Sequence, residues 1–309
     1  GEFMLHGADA IAALDALVIG DMVHLAPGRC RYTALLNGSG GIIDDCVALR
    51  LSPDEMYLVT NAGPLERVST LLADNVPGIV DCSEATAKID VQGPLSRKLL
   101  LDLGFAAVAP LAYWRGGRVD WRGLEIIVTR AGYTGELGYE IFLPAEAAAD
   151  LWALLLDDGL AIPCGLGARD TLRSEMGYPL NGEDVDESRT PLEGSMDRFI
   201  AWDSEFPGKA RLLEMREGGD YERLTPVRSA DRRAPRHGFE VFHGGEKVGA
   251  VTSGTFGPSL GCGVGLAYLR HGCAAPGTLL AAGPRGMEIT AAQAPVYTRG
   301  TCRVKFNHD

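Results

Sequence analysis

Residues 31–51 read RYTALLNGSGGIIDDCVALRL and predict a β-hairpin. The runs 31–36 and 42–51 are rich in strand-forming residues, and the central NGSGG tolerates the positive φ that a tight turn needs. The following SPDE turns the chain again into a strand at 56–60. The sequence therefore predicts a meander of antiparallel strands at this point.

Strand and helix patterns alternate along the rest of the chain. Predicted strands cover 87–91, 124–130 and 139–143, and predicted helices cover 64–74, 96–103, 145–156 and 168–176. The polar stretch 217–236 is interpreted as a boundary or a poorly covered strand. Short strands with glycine turns follow it, so we predict an α+β protein that ends in a small all-β domain.

Composition excludes several classes of function. With 41 acidic and 29 basic residues the net charge is −12, which would repel a nucleic-acid backbone. No apolar run is long enough to cross a bilayer, so no membrane partner is predicted. The seven cysteines include no C-x-x-C, and the six histidines show no ligand spacing, so no metal is predicted. No secretory signal is visible, which predicts the cytoplasm, or the mitochondrial matrix if a transit peptide has been removed.

Asp44 and Asp45 in the returning strand of the hairpin are the first candidates for a functional site. Alternation puts Asp45 with Ile43 and Val47 on the more apolar face of the strand, and Asp44 on the other face. A carboxylate on an apolar face loses water unless a partner meets it, and such groups mark functional sites. The alternative is that Asp45 caps a loop or binds backbone within the hairpin.

Glu140 is the second candidate, in a predicted strand directly after the glycine-rich loop GYTGELG at 132–138. A buried carboxylate on a strand suits a two-pronged hydrogen bond to an amidine-like edge, such as that of a pterin or guanine. The alternative is a glutamate that points to solvent, because Glu is seldom buried unless it is paired.

Arg169 is the third candidate, near the start of a predicted helix. Its motif, GLGARD at 165–170, is not a dinucleotide fingerprint, because Asp170 occupies the place of the third glycine. Arg169 is placed to hold an anion or a carboxylate of a ligand. The alternative is a surface ion pair with Asp170 or Glu175.

Three tyrosines, Tyr32, Tyr113 and Tyr133, lie in or beside turns where they could sandwich a flat heterocycle, although core packing also explains them. The chain has no Gly-x-Ser-x-Gly elbow and no His beside a Cys in a nucleophile pair. Acyl transfer through a catalytic triad is therefore not predicted.

A series of motifs follows in order along the chain. They are YTALLN (32–37) with GGIIDD (40–45), GYTGE (132–136) with GYE (138–140), GLGARD (165–170), TPLE (190–193), VTSGTF (251–256) and LAY (266–268). Together they resemble one family, the glycine-cleavage T-proteins, which are tetrahydrofolate-dependent aminomethyltransferases. The resemblance extends over nearly the whole chain, although any one motif alone would be weak.

The resemblance implies a multi-domain α+β fold with antiparallel sheets around a central folate pocket and a β-barrel at the end. We place the tetrahydrofolate-binding region, with two interleaved subdomains, at 1–215 and the barrel at 216–309. The implied reaction moves an aminomethyl carbon to tetrahydrofolate and releases ammonia. The donor would be the lipoyl arm of a carrier protein, the glycine cleavage H-protein.

The family motifs also imply roles for the candidate residues. Asp45 would be the catalytic carboxylate, Glu140 would grip the pterin, and Arg169 would lie at the ligand site. Tyr32, Tyr113 and Tyr133 would line that site. Because a folate nitrogen makes the attack, the protein would mainly position the reactants and stabilise developing positive charge.

The sequence also departs from the family. Residues 1–10 resemble a segment that lies well inside the family's proteins, so we expect an upstream part of the first domain to be missing. Residues 194–198 and 228–236 are more polar than usual, which puts the donor and the docking of the last domain in question. Two alternatives therefore stay open: a folate-dependent demethylase of a small methylated amine or sulfur compound, and a non-catalytic folate-binding paralogue.

Overall fold

A five-stranded antiparallel sheet forms the first part of the fold in a computed structural model, which describes residues 1–157 and 159–306. Its strands are β1 (Glu2–His6), β2 (Cys30–Leu36), β3 (Ile42–Ser52), β4 (Glu55–Val59) and β5 (Val80–Asp81), in the order β2-β3-β4-β1-β5. Helices α1 (Ala8–Asp15) and α2 (Leu65–Asn75) cover one face and bury its apolar side chains.

The predicted hairpin is confirmed. Strands β2 and β3 pair antiparallel, with Ala34 opposite Asp45. In the turn, the Asn37 side-chain oxygen accepts hydrogen bonds from the backbone N–H groups of Ser39 and Gly41, at 3.0 and 2.9 Å. Gly40 has a φ of 83°, the left-handed conformation that glycine adopts without a steric penalty. The turn chemistry of the sequence thus sets the register that carries Asp45.

A four-stranded sheet follows in sequence. Its strands are β6 (Thr86–Gln92), β7 (Gly116–Trp121), β8 (Leu124–Thr129) and β9 (Gly138–Pro144), in the order β6-β9-β8-β7, with helices α3 (Ser96–Asp102) and α4 (Ala148–Asp157). Tyr139, Ile141 and Leu143 of β9 face a core shared with both helices. Strand alternation therefore directs Glu140 and Phe142 to the opposite face, toward the first sheet.

The two sheets pack together through a shared apolar cluster. Leu49 and Tyr57 of the first sheet contact Ile127 and Phe142 of the second. The rings of Tyr57 and Phe142 meet edge to face, with centroids 5.2 Å apart. This packing brings the β3 face that carries Asp45 toward the sheet that carries Glu140.

The chain ends in a closed six-stranded barrel, which confirms the predicted architecture. Helices α5 (Leu166–Met176) and α6 (Lys209–Gly218) precede strands β10 (Arg223–Ser229), β11 (Glu240–His243), β12 (Glu246–Gly257), β13 (Cys262–Leu269), β14 (Leu279–Ala282) and β15 (Met287–Ala291). Their order around the barrel is β10-β13-β12-β11-β14-β15. None of the helices in residues 1–157 and 159–306 is long and apolar enough to cross a membrane.

The expectation of a poorly covered strand in this region was wrong, while the alternative of a boundary stays a prediction. Residues 217–236 were predicted to be a boundary or a poorly covered strand, yet residues 224–227 of β10 are buried. The strand is covered because it pairs with β13 on one side and β15 on the other. The division at 215/216 stays a prediction. Helix α6 crosses that point, and residues 307–309 of the predicted barrel domain lie outside the described residues.

We expect Gly41→Ala to lower the free energy of unfolding by about 1–3 kcal/mol, the cost of overpacking. A Cβ at this position would lie 1.8 Å from the Glu187 carbonyl oxygen, which belongs to the main chain and cannot rotate away. Gly38→Ala in the same turn is the control, because a Cβ there has no atom within 4 Å. Urea unfolding midpoints of both variants test this. Equal midpoints would contradict it.

Candidate active site

A pair of adjacent aspartates and one asparagine form the centre of the candidate site. Asn61 follows β4 and donates its backbone N–H to Asp44 Oδ2 at 3.0 Å. Its side-chain Nδ2 lies 2.8 Å from Asp44 Oδ1 and 3.0 Å from Asp45 Oδ1. The Tyr32 hydroxyl donates to Asp45 Oδ2 at 2.8 Å. Residues from three neighbouring strands thus converge on the two carboxylates.

The structure corrects the expected difference between the two faces of β3. The more buried face is that of Asp44, which is 0 % exposed, whereas Asp45 is half-buried. Helices α1 and α2 cover the Asp44 face, whereas the Asp45 face is turned toward the second sheet. The Asp45 carboxylate accepts hydrogen bonds from the side chains of Tyr32 and Asn61, so it does not act as a loop cap.

Burial raises the pKa of both carboxyls above the usual aspartate value, that of Asp44 to about 6. The hydrogen bonds from Asn61 oppose this shift at both residues, and the Tyr32 hydroxyl and the nearby Asn181 amide oppose it at Asp45. Two carboxyls with raised pKa values and fixed donors are suited to holding or moving a proton and to stabilising a nearby cation.

Glu140 is largely buried, with 13 % of its side chain exposed, so the alternative of a solvated glutamate is excluded. Lys88 Nζ on β6 lies 2.7 Å from Glu140 Oε1, and the Thr129 hydroxyl on β8 donates to Oε2 at 3.1 Å. Burial raises the pKa of Glu140, but the charge and hydrogen bond of Lys88, the Thr129 hydroxyl and the charge of Arg169 together outweigh burial and hold the pKa below the usual glutamate value. Glu140 is therefore a fixed, ionised acceptor.

Arg169 joins these groups to the aromatic part of the site. It lies in the first turn of α5, with its guanidinium 4.8 Å from the centroid of the Tyr133 ring. Its Nη1 lies 3.4 Å from Asp90 Oδ2. The ion-pair partner of Arg169 is thus Asp90, not Asp170 or Glu175 as the alternative had it. Asp90 also lies 3.7 Å from the Lys88 ammonium, so a chain of alternating charges connects Arg169 to Glu140.

The tyrosines lie around the same centre. The Tyr133 hydroxyl donates to the carbonyl of Pro179, and its ring stacks on Tyr178 with centroids 5.6 Å apart. Burial and the charge of Asp45 raise the pKa of Tyr133. Tyr113 lies further out, edge to face with Trp114, and its phenol adds to burial in raising the pKa of Tyr178. Direct contacts thus join Tyr32 to Asp45 and connect Tyr133, Arg169 and Glu140 through Asp90 and Lys88, whereas the contacts of Tyr113 are with Trp114 and Arg303.

Six contributing residues were not predicted from the sequence: Asn61, Lys88, Asp90, Thr129, Tyr178 and Asn181. The sequence contains a weak indication of Asn61, since it is the first amide side chain after the strand that follows the hairpin. Alternation places Lys88 and Asp90 on one face of β6, but only the register, in which Asp90 is opposite Glu140, shows what they meet. No group of three or more His, Cys, Asp or Glu in the described residues is arranged to hold a metal ion.

The structure is similar to the crystal structure of glycine cleavage system aminomethyltransferase T from Bartonella henselae, with a TM-score of 0.90 and 29 % identity. The match covers 97 % of this chain and 84 % of the other. This likeness over nearly the whole length defines the class of protein as a transferase with the aminomethyltransferase fold.

Sequence comparisons are more specific. Residues 1–204 match the GCVT N-terminal domain, and residues 223–297 match the glycine cleavage T-protein C-terminal barrel domain. The aminomethyltransferase of Geobacillus kaustophilus is 37 % identical over 307 residues, 96 % of this chain and 84 % of the relative. That of Bacillus subtilis is 35 % identical over 312 residues, 97 % and 86 %. The chain belongs to the glycine cleavage T-protein family of aminomethyltransferases, which confirms the predicted family and the prediction of an enzyme.

The raised pKa of Asp44 predicts a pH-dependent difference in stability between the wild type and Asp44→Asn. A folded-state pKa of about 6, above the usual aspartate value of 3.8, means that the folded protein binds the proton more tightly than the unfolded chain. The wild type therefore loses stability relative to the variant as the pH rises from 4 to 6, by up to about 3 kcal/mol. Chemical denaturation of both proteins at several pH values measures this, and a pH-independent difference would contradict it.

Proposed function

We propose that this enzyme transfers the aminomethyl carbon of a lipoyl-bound donor to tetrahydrofolate. In the balanced reaction, the carbon–sulfur and carbon–nitrogen bonds of the donor break and two bonds form from the carbon to folate nitrogens. The two protons that those nitrogens lose go to the departing thiol and ammonia. The observation that carries the proposal is the Asp44–Asp45 pair, whose carboxylates accept hydrogen bonds from Asn61 and Tyr32. The second sheet, which packs on the first, adds the carboxylate of Glu140.

The donors and acceptors of the site fit a reduced pterin. Such a ring presents a flat face, an amidine-like edge and an amide carbonyl. Tyr32 and Tyr133 offer aromatic surface, and Glu140 offers an ionised acceptor that is largely buried. The buried Asn181 Nδ2 has no hydrogen-bond partner among the described residues, so a donor is left over for a ligand.

The proposed role of the protein is electrostatic, and tetrahydrofolate supplies the attacking nitrogens. Asp45, hydrogen-bonded by Tyr32 and half-buried, would stabilise the positive charge that develops as ammonia leaves. Its raised pKa also suits it to take up and return a proton. Asp44 would support it from the covered face, where solvent does not reach the carboxylate.

The donor is proposed from family membership, with the lipoyl-bearing H-protein as partner. The arginine-rich stretch 228–236 is a candidate surface for an acidic carrier, because all four of its arginines are exposed. Arg232 lies over the Phe256 ring and Arg233 pairs with Asp231. For the compartment, the cytoplasm stays our expectation, because the relatives named above come from bacteria.

Isothermal titration of the purified chain with tetrahydrofolate, followed by addition of aminomethylated carrier, tests the proposal. We expect folate binding, then stoichiometric ammonia and methylenetetrahydrofolate. Folate binding with turnover of a small methylated amine, and none with the carrier, would favour the demethylase. Binding without turnover of either donor would favour a non-catalytic folate-binding protein. No binding of folate would overturn all three.

We expect Glu140→Ala to weaken tetrahydrofolate binding by more than tenfold. Loss of one partner from a buried charged pair costs about 2–5 kcal/mol, and tenfold is about 1.4 kcal/mol. Because the variant also leaves Lys88 without its nearest carboxylate, Lys88→Met is the companion variant, which keeps Glu140 in place. A loss that is equal in both variants, or less than tenfold in Glu140→Ala, would contradict a direct grip by Glu140.

Asp45→Asn should bind tetrahydrofolate nearly normally yet lose about 100-fold or more in turnover, the scale of one electrostatic or acid–base contribution. The amide fits the site, because its NH₂ can donate to the Tyr32 oxygen while its carbonyl still accepts from Asn61. Asp44→Asn, the same change on the other face, should have a far smaller effect. Single-turnover formation of methylenetetrahydrofolate measures both, and a larger loss at Asp44 would reverse the assignment.

A further inference from the structure

Arg173 lies one helical turn after Arg169 on α5, but it serves a different set of contacts. It is 2 % exposed. Its Nη1 lies 2.5 Å from Asp184 Oδ2, 3.1 Å from the Ser253 hydroxyl of β12 and 3.2 Å from the Tyr178 carbonyl. Its Nε donates to Asp170 at 2.8 Å. The guanidinium thus joins α5, the barrel and the loop that follows α5.

Asp184 is the other half of this junction. It is 1 % exposed, and its two carboxylate oxygens bind in different directions. Oδ2 accepts from Arg173 and from the Leu180 N–H at 3.0 Å, and Oδ1 accepts from the hydroxyl of Thr252 in β12. The loop 177–185 is therefore held at one point by α5 and by the barrel.

This loop reaches the candidate site with three groups. The Tyr178 ring stacks on Tyr133, and the Pro179 carbonyl accepts the Tyr133 hydroxyl. The buried Asn181 Nδ2 lies close enough to Asp45 to lower the pKa of that carboxyl. All three contacts depend on where the loop is held.

We propose that Arg173 and Asp184 are positioning residues, which hold the loop 177–185 so that Asn181 faces Asp45 and Pro179 fixes Tyr133. The proposal rests on the proposed function, since it concerns the same carboxylate. Neither residue belongs to the set that would touch the ligand. A buried ion pair adds little to stability compared with apolar side chains of the same size. What it adds is a fixed geometry, because the guanidinium and the carboxylate each bind several partners in set directions.

The pH dependence of the reaction reports on this geometry. The titratable groups around Asp45 are Asp44 and Cys46 on its own strand, Tyr32 on β2 and Tyr133 beyond β8. The Asn181 amide is the neighbour that comes from the loop 177–185, and it favours the ionised carboxylate. If the loop moves, the acidic limb of the turnover profile should shift to higher pH, because Asp45 then ionises later.

The test compares Asp184→Asn with Glu175→Gln in the full chain. Both variants turn a buried carboxylate into an amide at the contact between α5 and the barrel. The Glu175 side chain accepts from the Ser259 N–H at the end of the barrel, and within residues 1–157 and 159–306 it makes no hydrogen bond to the loop. Turnover, tetrahydrofolate affinity, the turnover–pH profile and hydrogen exchange of peptide 177–185 are measured for each. Thr252→Val, which removes only one hydroxyl from Asp184, is the milder variant if Asp184→Asn does not fold.

We expect Asp184→Asn to lose about tenfold to a hundredfold in turnover, the scale of a small misplacement of reacting groups. Tetrahydrofolate affinity should change by less than about threefold. The acidic limb should shift upward and the loop should exchange faster. In Thr252→Val the turnover, the pH profile and the loop exchange should change in the same direction but by less. In Glu175→Gln all three should match the wild type. Arg173→Lys, which keeps the charge, should retain more activity than Arg173→Met.

Several results would overturn the proposal. Turnover and a pH profile of Asp184→Asn that match those of Glu175→Gln would show that the pair does not position the site. A loss of folate affinity as large as the loss of turnover would make it part of the ligand site instead. Failure of the wild type to bind folate or to turn over the aminomethylated carrier would instead sink the proposed function, and loop exchange would still report whether the pair holds the loop.

Discussion

Asp44 and Asp45 lie on opposite faces of one strand, and the first half of the fold has to supply hydrogen-bond donors to both carboxylates. Neighbouring residues of a strand point in opposite directions, so Asp44 and Asp45 can share a donor only if it reaches both from the strand edge. Asn61, just beyond the end of β4, does so with its amide and its backbone. A buried carboxylate without such donors would cost several kcal/mol or stay protonated. The hairpin, β4 and Asn61 therefore together hold the two carboxylates.

Charge balance plays the corresponding role on the second sheet. Glu140 and Asp90 lie opposite each other on β9 and β6, where two like charges would repel. Lys88 lies between them, at 2.7 and 3.7 Å, and Arg169 approaches from α5. With two cations and two carboxylates the cluster is formally neutral. A ligand that binds Glu140 therefore enters a site already polarised for it, without the cost of an isolated buried charge.

The sequence predicted the parts of this site that depend on local pattern. Turn residues and alternation predicted the hairpin and the two aspartates, and a helix at 168–176, which carries Arg169, was predicted to follow the glycines at 165 and 167. What local pattern could not give was pairing between distant elements. The partner of Glu140 depends on the register of β6 against β9, and the partner of Arg169 depends on how α5 lies on that sheet. The error over the faces of β3 has the same origin, since α1 and α2, not the strand's own composition, decide which face loses water.

The predicted site residues come from the first sheet, from the second sheet with its loops, and from α5, and α5 is the element that connects them to the barrel. Its first turn carries Arg169 toward the second sheet, and its next turn carries Arg173 toward the barrel. Helical geometry places such i, i+4 side chains on the same side of the helix, so a shift of α5 moves both together. The aspartate pair, by contrast, belongs to the first sheet and does not move with α5. The distance between Arg169 and the proposed reacting centre therefore depends on how α5 sits between sheet and barrel. The barrel supplies none of the six predicted site residues, so any influence of the barrel on the proposed chemistry would act through α5.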